Sequence, residues 1–218
     1  MAFSAIGIIS GLKALPAGLV LRSGAGKGLC SGVSKKSLEE LCLACGMCCD
    51  GTLFDGVQLE ASDDGPRLKQ LGLPVKVSRG RTPIARFAQP CAALGRDCTC
   101  RVYAGRPWQC RVFECGVFKK AKAGELDFAT ARRRVQQGRR LADRVRKLLR
   151  ALGDHEEHRA LGERFFRMQC RMEEQRPDAA ALATFADLSL AVHRLKLLAH
   201  ENFYTQSDKS SAPPKPML

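Results

Sequence analysis

The cysteine run that begins at Cys42 constrains this chain more than any other feature. It reads Cys42-Leu-Ala-Cys45-Gly-Met-Cys48-Cys49, so two CxxC spacings overlap and a fourth thiol follows directly. A CxxC step turns two thiolates toward one metal ion and leaves backbone N–H groups near the sulfurs. Neighbouring side chains diverge, so we expect Cys48 and Cys49 to serve two metal sites or two edges of one cluster. Gly46 stands where such a turn often requires a positive φ.

A second group of cysteines supplies further candidate ligands. Its members are Cys91, Cys98, Cys100, Cys110 and Cys115. Four thiols from each group would make two zinc sites. Alternatively, the first three cysteines of the run and a distant cysteine would hold a four-iron [4Fe-4S] cluster. Cys49 then departs from the ferredoxin run, in which three residues separate the third and fourth cysteines. The residues therefore leave zinc and iron as alternatives.

The cysteine content also excludes classes of protein. Eleven cysteines in 218 residues are an odd number in a chain too long for a small secreted disulfide scaffold. Clustered thiols indicate metal binding in a reducing, cytoplasmic compartment, and a disulfide framework in an exported protein is the minor alternative. With 45% hydrophobic and 27% charged residues, the chain is not wholly disordered. Cys30 and Cys170 lie outside the cluster and are interpreted as isolated buried thiols.

Two linked motifs resemble a known family. The run from Cys42 to Cys49 is similar to the opening motif of the CxxCxxCC cysteine-cluster proteins, also called the YkgJ type. The second motif of that family resembles Cys100-x-Val-Tyr103-x2-Arg106-Pro-x2-Cys110-Arg111 in this chain, and Cys91 follows a proline as the family pattern has it. The resemblance implies a zinc- or iron-chelating domain with seven ligands. Cys98 and Cys115 are absent from the commonest form of the pattern, so they are additional candidates.

The second motif also contains candidate partners of the bound metal group. These are Tyr103, Arg106 and Arg111. Guanidinium groups can donate to thiolate sulfurs or carbonyls and offset the negative charge of the site. Tyr103 and Trp108 would shield the site from water, and Pro107 would start a helical turn that presents Cys110. The alternative is that the Arg, Tyr and Trp side chains simply pack and pair within a small domain.

Short elements are predicted around the cysteines. Ser37 and Glu40 form a capping box, which predicts a helix that carries the first two cysteines. Two short apolar runs around a glycine predict a hairpin over 53–59. One or two helical turns are predicted over 66–71 and a strand over 84–87. A loop-rich region of this kind commonly depends on a metal for its stability.

Three long amphipathic helices are predicted after this region. The first has apolar residues at alternating steps of three and four from Phe128 to Leu152, and Gly153 is expected to cap it. Gly138 in this seam weakens the helix or allows a close approach by a neighbour. The later seams are Leu161, Phe165, Met168 and Met172, then Phe185, Leu188, Val192, Leu195 and Ala199, with Pro177 opening the third helix. The predicted fold is mainly α: a small, loop-rich metal domain followed by an antiparallel helical bundle.

The first long helix carries most of the net charge of +14. Its basic residues are Arg132, Arg133, Arg134, Arg139, Arg140, Arg144, Arg146, Lys147 and Arg150. Such a face could bind nucleic-acid phosphates, an anionic membrane or an acidic partner. The alternative is a solvated face that pairs with acidic residues of the next helix, Glu156, Glu157, Glu163, Glu173 and Glu174.

The predicted organisation has four parts. Residues 1–36 form an N-terminal extension, flexible or an organellar targeting segment, and no transmembrane segment is expected because a lysine interrupts the apolar run. Residues 37–120 form the cysteine-cluster domain, 125–204 the helical bundle and 205–218 a disordered tail. Metal chelation is the predicted function. A metal-dependent enzyme, redox or group transfer, is an alternative, since one branch resembling the family methylates lysines of flagellin. A nucleic-acid-binding metal module is another.

Overall fold

The computed structural model of the protein describes residues 35–79 and 82–205. Its elements are α1 (Lys35–Cys45), β1 (Gly56–Gln58), α2 (Gly65–Gln70), β2 (Lys76–Val77), β3 (Ala85–Ala88), a 3-10 turn (Tyr103–Gly105), α3 (Trp108–Val112), α4 (Gly116–Lys122), α5 (Phe128–Ala151), α6 (Leu161–Glu174) and α7 (Ala179–Asn202). This architecture confirms the predicted mainly α fold class. None of the described helices combines the length and the apolar character that crossing a bilayer demands. Residues 1–34 of the predicted extension, including Cys30, and 206–218 of the predicted tail lie outside the described residues.

Three short strands form one antiparallel sheet in the order β1-β3-β2, with Val57 opposite Phe87. The hairpin predicted over 53–59 is wrong, because only the second half of that stretch is extended. The extended half is β1, and it pairs with β3, which follows much later in the chain. Leu53 packs into a helical core instead, while Val57 faces the core beneath the sheet.

The other short elements follow the prediction more closely. The strand predicted at 84–87 is β3, and the turns predicted at 66–71 are α2, where Asp64 accepts a hydrogen bond from the Arg67 amide at 2.8 Å. The capping-box prediction for α1 misplaces the start of the helix. Because the two residues before Ser37 are already helical, this serine stands inside the first turn.

The long helices have the predicted seams. The buried residues of α5 are Ala131, Val135, Gly138, Ala142, Val145 and Leu149. Gly153 ends the helix with a φ of +80°, as predicted for a C-terminal cap. The start predicted for α7 at Pro177 is wrong, since Asp178 is the N-cap and its side chain accepts from the Ala181 amide at 2.7 Å.

The apolar residues form three cores. The bundle core joins α5, α6 and α7 through residues such as Val145, Met168 and Leu188. The joint core lies between α1, α4, α5 and the end of α7, and includes Met47 and Phe203. The start of α5 packs against the end of α7 in the joint core, and later residues of α5 pack against earlier residues of α7 in the bundle core. The two helices therefore run antiparallel. The sheet core lies beneath the strands and α2, and three of the cysteines pack against it: Cys91, Cys100 and Cys110.

Candidate metal centre

A tight turn after α1 positions the first group of cysteines. Gly46 has a φ of +65°, as the sequence predicted, and its carbonyl accepts from the amides of Cys49 and Asp50 at 2.9 and 3.0 Å. Met47 is 0% exposed and anchors the turn in the joint core. The turn therefore presents Cys48 and Cys49 from a backbone that is fixed by both hydrogen bonds and packing.

Four thiols near this turn act on one another electrostatically: Cys42, Cys45, Cys48 and Cys115. Burial, with smaller contributions from the neighbouring thiols of Cys115 and Cys42, raises the pKa of Cys45 to about 12. Burial also raises the pKa of Cys48 well above its ordinary value, and Cys45 and Cys115 add to this effect. Cys115 is the N-cap of α4, where its sulfur accepts from the Phe118 amide at 3.5 Å. The positive end of that helix favours a thiolate.

The remaining thiols of the motifs form a second set of electrostatic neighbours: Cys49, Cys91, Cys100 and Cys110. Burial, followed by the thiols of Cys91, Cys110 and Cys100, raises the pKa of Cys49 to about 12. Burial, followed by Cys91 and Cys100, raises the pKa of Cys110 to about 12 as well. The Cys91 amide donates to the Cys49 carbonyl at 2.7 Å, which joins two segments that are far apart in sequence. The eight thiols thus fall into two sets of electrostatic neighbours, with Cys48 in the first and Cys49 in the second, although the charge of Cys49 also acts on Cys48.

The donor chemistry of each group fits zinc or iron. Four thiolates are the ligand set of structural zinc sites and of iron–sulfur clusters. Within residues 35–79 and 82–205, no three His, Cys, Asp or Glu side chains are gathered closely enough to hold one ion as they stand. The thiols of each group are neighbours at a longer spacing, over which charges still act. Rotation about Cα–Cβ moves a sulfur between staggered positions, so neighbouring thiols can approach a common centre.

Residues 41–134 match the family model described as "CxxCxxCC: Putative zinc- or iron-chelating domain". This segment is similar to that family, and we call it the CxxCxxCC domain. The match confirms the resemblance that the two motifs indicated, and it ends inside α5. Searches of curated proteins and of solved structures find no match to this chain.

Arg106 lies between the two thiol groups of the CxxCxxCC domain. Its charge lowers the pKa of both Cys42 and Cys110, although burial and neighbouring thiols raise these pKa values overall. The guanidinium stacks 3.8 Å from the centre of the Tyr103 ring. Arg106 therefore acts electrostatically on a thiol of each group without a described hydrogen bond to sulfur, and its role in binding the metal group stays a prediction.

The shielding role predicted for two aromatic residues is wrong. Tyr103 is 58% and Trp108 45% exposed, because the stacking of Arg106 holds the Tyr103 ring at the surface and the short helix α3 directs Trp108 outward. Arg111 is also exposed on α3, and its role in binding the metal group stays a prediction. Pro107 precedes α3, which carries Cys110 as predicted.

Cys98 lies beside the turn of the first group, where a Cβ on Gly46 would be 3.0 Å from its sulfur. It has a φ of +63°, and Arg139 Nη1 donates to its sulfur at 3.4 Å. The same nitrogen also donates to the Cys45 carbonyl. Cys170, predicted as a buried thiol, is only half-buried on α6. No disulfide is present within the described part of the chain.

Two arginines that sequence analysis assigned only to a basic face hold the CxxCxxCC domain against α5. They are Arg139, described above, and Arg146, which donates to Asp50 Oδ2 at 2.9 Å and to Thr52 Oγ1 at 2.8 Å. Helical spacing alone does not reveal these contacts, because their acceptors lie 41 to 96 residues earlier.

The pairing predicted between α5 and the acidic residues that follow it is mostly wrong. Arg150 does bond Glu157 at 2.7 Å, but Arg144 pairs with Asp187 on α7 at 3.7 Å. Two other predicted acidic partners, Glu156 and Glu163, pair with Arg159 instead. The reason is that Arg159 stands directly before α6, within reach of both glutamates, while α5 directs its arginines toward the cysteine segment and α7.

Proposed function

We propose that the CxxCxxCC domain chelates two metal centres, each through four thiolates. The first would be held by Cys42, Cys45, Cys48 and Cys115, and the second by Cys49, Cys91, Cys100 and Cys110. The observation that carries this proposal is the division of the eight thiols between Cys48 and Cys49. Adjacent side chains reach opposite sides of the chain more easily than one common ion.

The composition of the two groups favours a structural or electron-transferring role. A centre that four protein thiolates surround leaves no coordination position for water or a substrate, in contrast to catalytic zinc sites. Zinc would cross-link the segments that supply the thiols, and an iron–sulfur centre would add the transfer of electrons. Thiolate sites persist under reducing conditions, so we infer a reducing compartment such as the cytoplasm.

The identity of the metal is tested by anaerobic purification followed by elemental analysis. Colourless protein with about two zinc ions per chain would establish zinc. Brown protein with broad visible absorbance and bound iron would establish an iron–sulfur centre. Protein without metal, with its cysteines paired as disulfides, would contradict chelation.

The division of the ligands is tested by two adjacent substitutions. Cys48→Ala and Cys49→Ala remove ligands from different groups, so each is expected to lower the metal content by about half, and the double variant to abolish specific binding. Cys170→Ala is the matched control and should retain the full metal content. A single shared centre would instead make either of the adjacent substitutions remove all of the metal.

A further inference from the structure

A cavity of about 320 Å³ lies between α5 and the start of α6, beside the CxxCxxCC domain. We call it the arginine pocket. Its basic residues are Arg139, Arg146, Arg150, Arg159 and Arg164. Only three carboxylates line it: Asp50, Asp143 and Glu157. The lining of the pocket therefore carries more positive than negative charge.

Arg164 lies in the lining of this pocket with an unused donor. Its side chain is only 2% exposed, and its Nε donates to Asp154 Oδ2 at 2.8 Å. Its Nη2 is buried and has no hydrogen-bond partner among the described residues. Leaving a buried donor unsatisfied costs about 1–3 kcal/mol, and more when the group is charged. An acceptor that reaches this nitrogen, which is covered from solvent in the structure, would remove this cost.

The start of α6 adds to the positive character of the same cavity. Leu161, the first residue of α6, lines the pocket, and the N-cap Ala160 offers no side-chain acceptor to the first amides. Uncapped amides and the helix dipole favour an anion at this end. The Leu161 amide itself is used, since it donates to the Gly51 carbonyl at 2.8 Å.

The carboxylates in the lining are already engaged. Arg146 bonds both Asp50 and Asp143, and Arg150 Nη1 bonds Glu157. A guanidinium has five N–H donors, so the single bond of Arg150 to Glu157 leaves others available. Its side chain is 46% exposed, which places it at the mouth of the pocket rather than at its base.

We propose that the arginine pocket binds one oxyanion, the phosphate or carboxylate group of a small molecule. Arg164 would contact the anion from within the protein, and Arg150 would contact it from the rim. The planar guanidinium matches the spacing of oxygens in both groups, so it suits them better than a single water molecule. Since neither arginine contacts a thiol in the structure, the proposal is independent of the proposed metal centres.

The test uses the full chain as purified, with its metal content measured for every variant. Calorimetric titrations with inorganic phosphate and, separately, with succinate are carried out at constant ionic strength. We expect at least one of the two anions to bind the wild type. The stronger of the two identifies the oxyanion as phosphate or carboxylate. Arg150→Gln should weaken binding by roughly tenfold, the equivalent of one charged hydrogen bond.

The matched control is Arg144→Gln, which removes the same charge from α5 outside the pocket and should change the affinity by less than about twofold. Arg164→Gln should abolish binding. If that variant does not fold, the comparison of the anion affinities of Arg150→Gln and Arg144→Gln decides the test. The proposal is overturned if neither anion binds the wild type. It is equally overturned if Arg144→Gln weakens binding as much as Arg150→Gln, because that result indicates general attraction to a basic protein.

Discussion

At the residue scale, Asp154 and Arg164 form the most deeply buried of the ion pairs found among the described residues. The two side chains are 4% and 2% exposed, and Asp154 Oδ1 also accepts from the Glu156 amide at 2.9 Å. Burial opposes the ionisation of Asp154, but the hydrogen bonds from Arg164 and Glu156 lower its pKa overall. The pair ties the turn after α5 to the buried side of α6.

Asp154→Asn is expected to destabilise the protein by about 3 kcal/mol near neutral pH, because it leaves the buried charge of Arg164 without a counter-ion. The measurement is urea denaturation. Asp187→Asn removes an exposed partner of Arg144 and is the control, with an expected change below about 0.5 kcal/mol.

The effect of Asp154→Asn on the unfolding free energy is expected to depend on pH. The folded-state pKa of Asp154 lies below its unfolded value, so its stabilisation is complete above about pH 4 and is lost as the pH falls further. The difference in unfolding free energy between wild type and Asp154→Asn should therefore narrow on acidification below about pH 4. A difference that stays constant from pH 7 to pH 3 would contradict the assignment.

At the element scale, α5 contacts both the other bundle helices and the cysteine segment. Its buried seam packs into the bundle core and the joint core. Its arginines reach the cysteine segment through Arg139 and Arg146. Gly138 allows the closest approach, since a Cβ there would lie 2.8 Å from Cε and 3.1 Å from Sδ of Met47. The glycine thus leaves space for the side chain that anchors the cysteine turn.

Gly138→Ala is expected to destabilise the protein by about 1 kcal/mol. Overpacking against buried Met47 costs about 1–3 kcal/mol, whereas the better helix propensity of alanine returns up to about 1 kcal/mol. Chemical denaturation measures the difference. Gln137→Ala, at the exposed neighbouring position, should change stability by no more than about 0.5 kcal/mol. A more stable Gly138→Ala variant would show that Met47 relaxes without cost.

At the scale of the whole molecule, the two kinds of structure are stabilised differently. The bundle core buries aliphatic and Met side chains from α5, α6 and α7, and contains no cysteine. The sheet core is small, and three cysteines of the second group pack against its edge. We therefore expect the loop-rich part to depend on metal cross-links through its thiols, and the bundle to be stable through its own apolar burial.

Removal of the proposed metals by a chelator should loosen one part of the molecule selectively. Hydrogen exchange is expected to accelerate over 46–60 and 91–118, while amides within the bundle core stay protected. Most of the far-ultraviolet helical signal should remain, because α5, α6 and α7 supply most of it. Re-addition of the metal should restore protection. Uniform loss of protection across the chain would show that the bundle also depends on the metals.

Local sequence patterns were sufficient to predict the features that depend on interactions between nearby residues. Steps of three and four place Val135, Val145 and Leu149 on one side of α5 whatever surrounds the helix. The positive φ at Gly46 and the cap at Gly153 follow from the freedom of glycine alone. The motif that identifies the CxxCxxCC domain is likewise contiguous in sequence.

The remaining features of the fold and of the candidate site depend on packing between residues that are far apart in sequence. The sequence by itself predicted that Cys48 and Cys49 serve different sites, but only the tertiary structure brings Cys115 near Cys48, and Cys91, Cys100 and Cys110 near Cys49. It also pairs β1 with β3, so that the local hairpin does not form, and directs Arg139 and Arg146 to the cysteine segment. These contacts join residues separated by tens of positions. Their formation depends on how the cores assemble. The periodicity within a single helix or strand carries no information about that assembly.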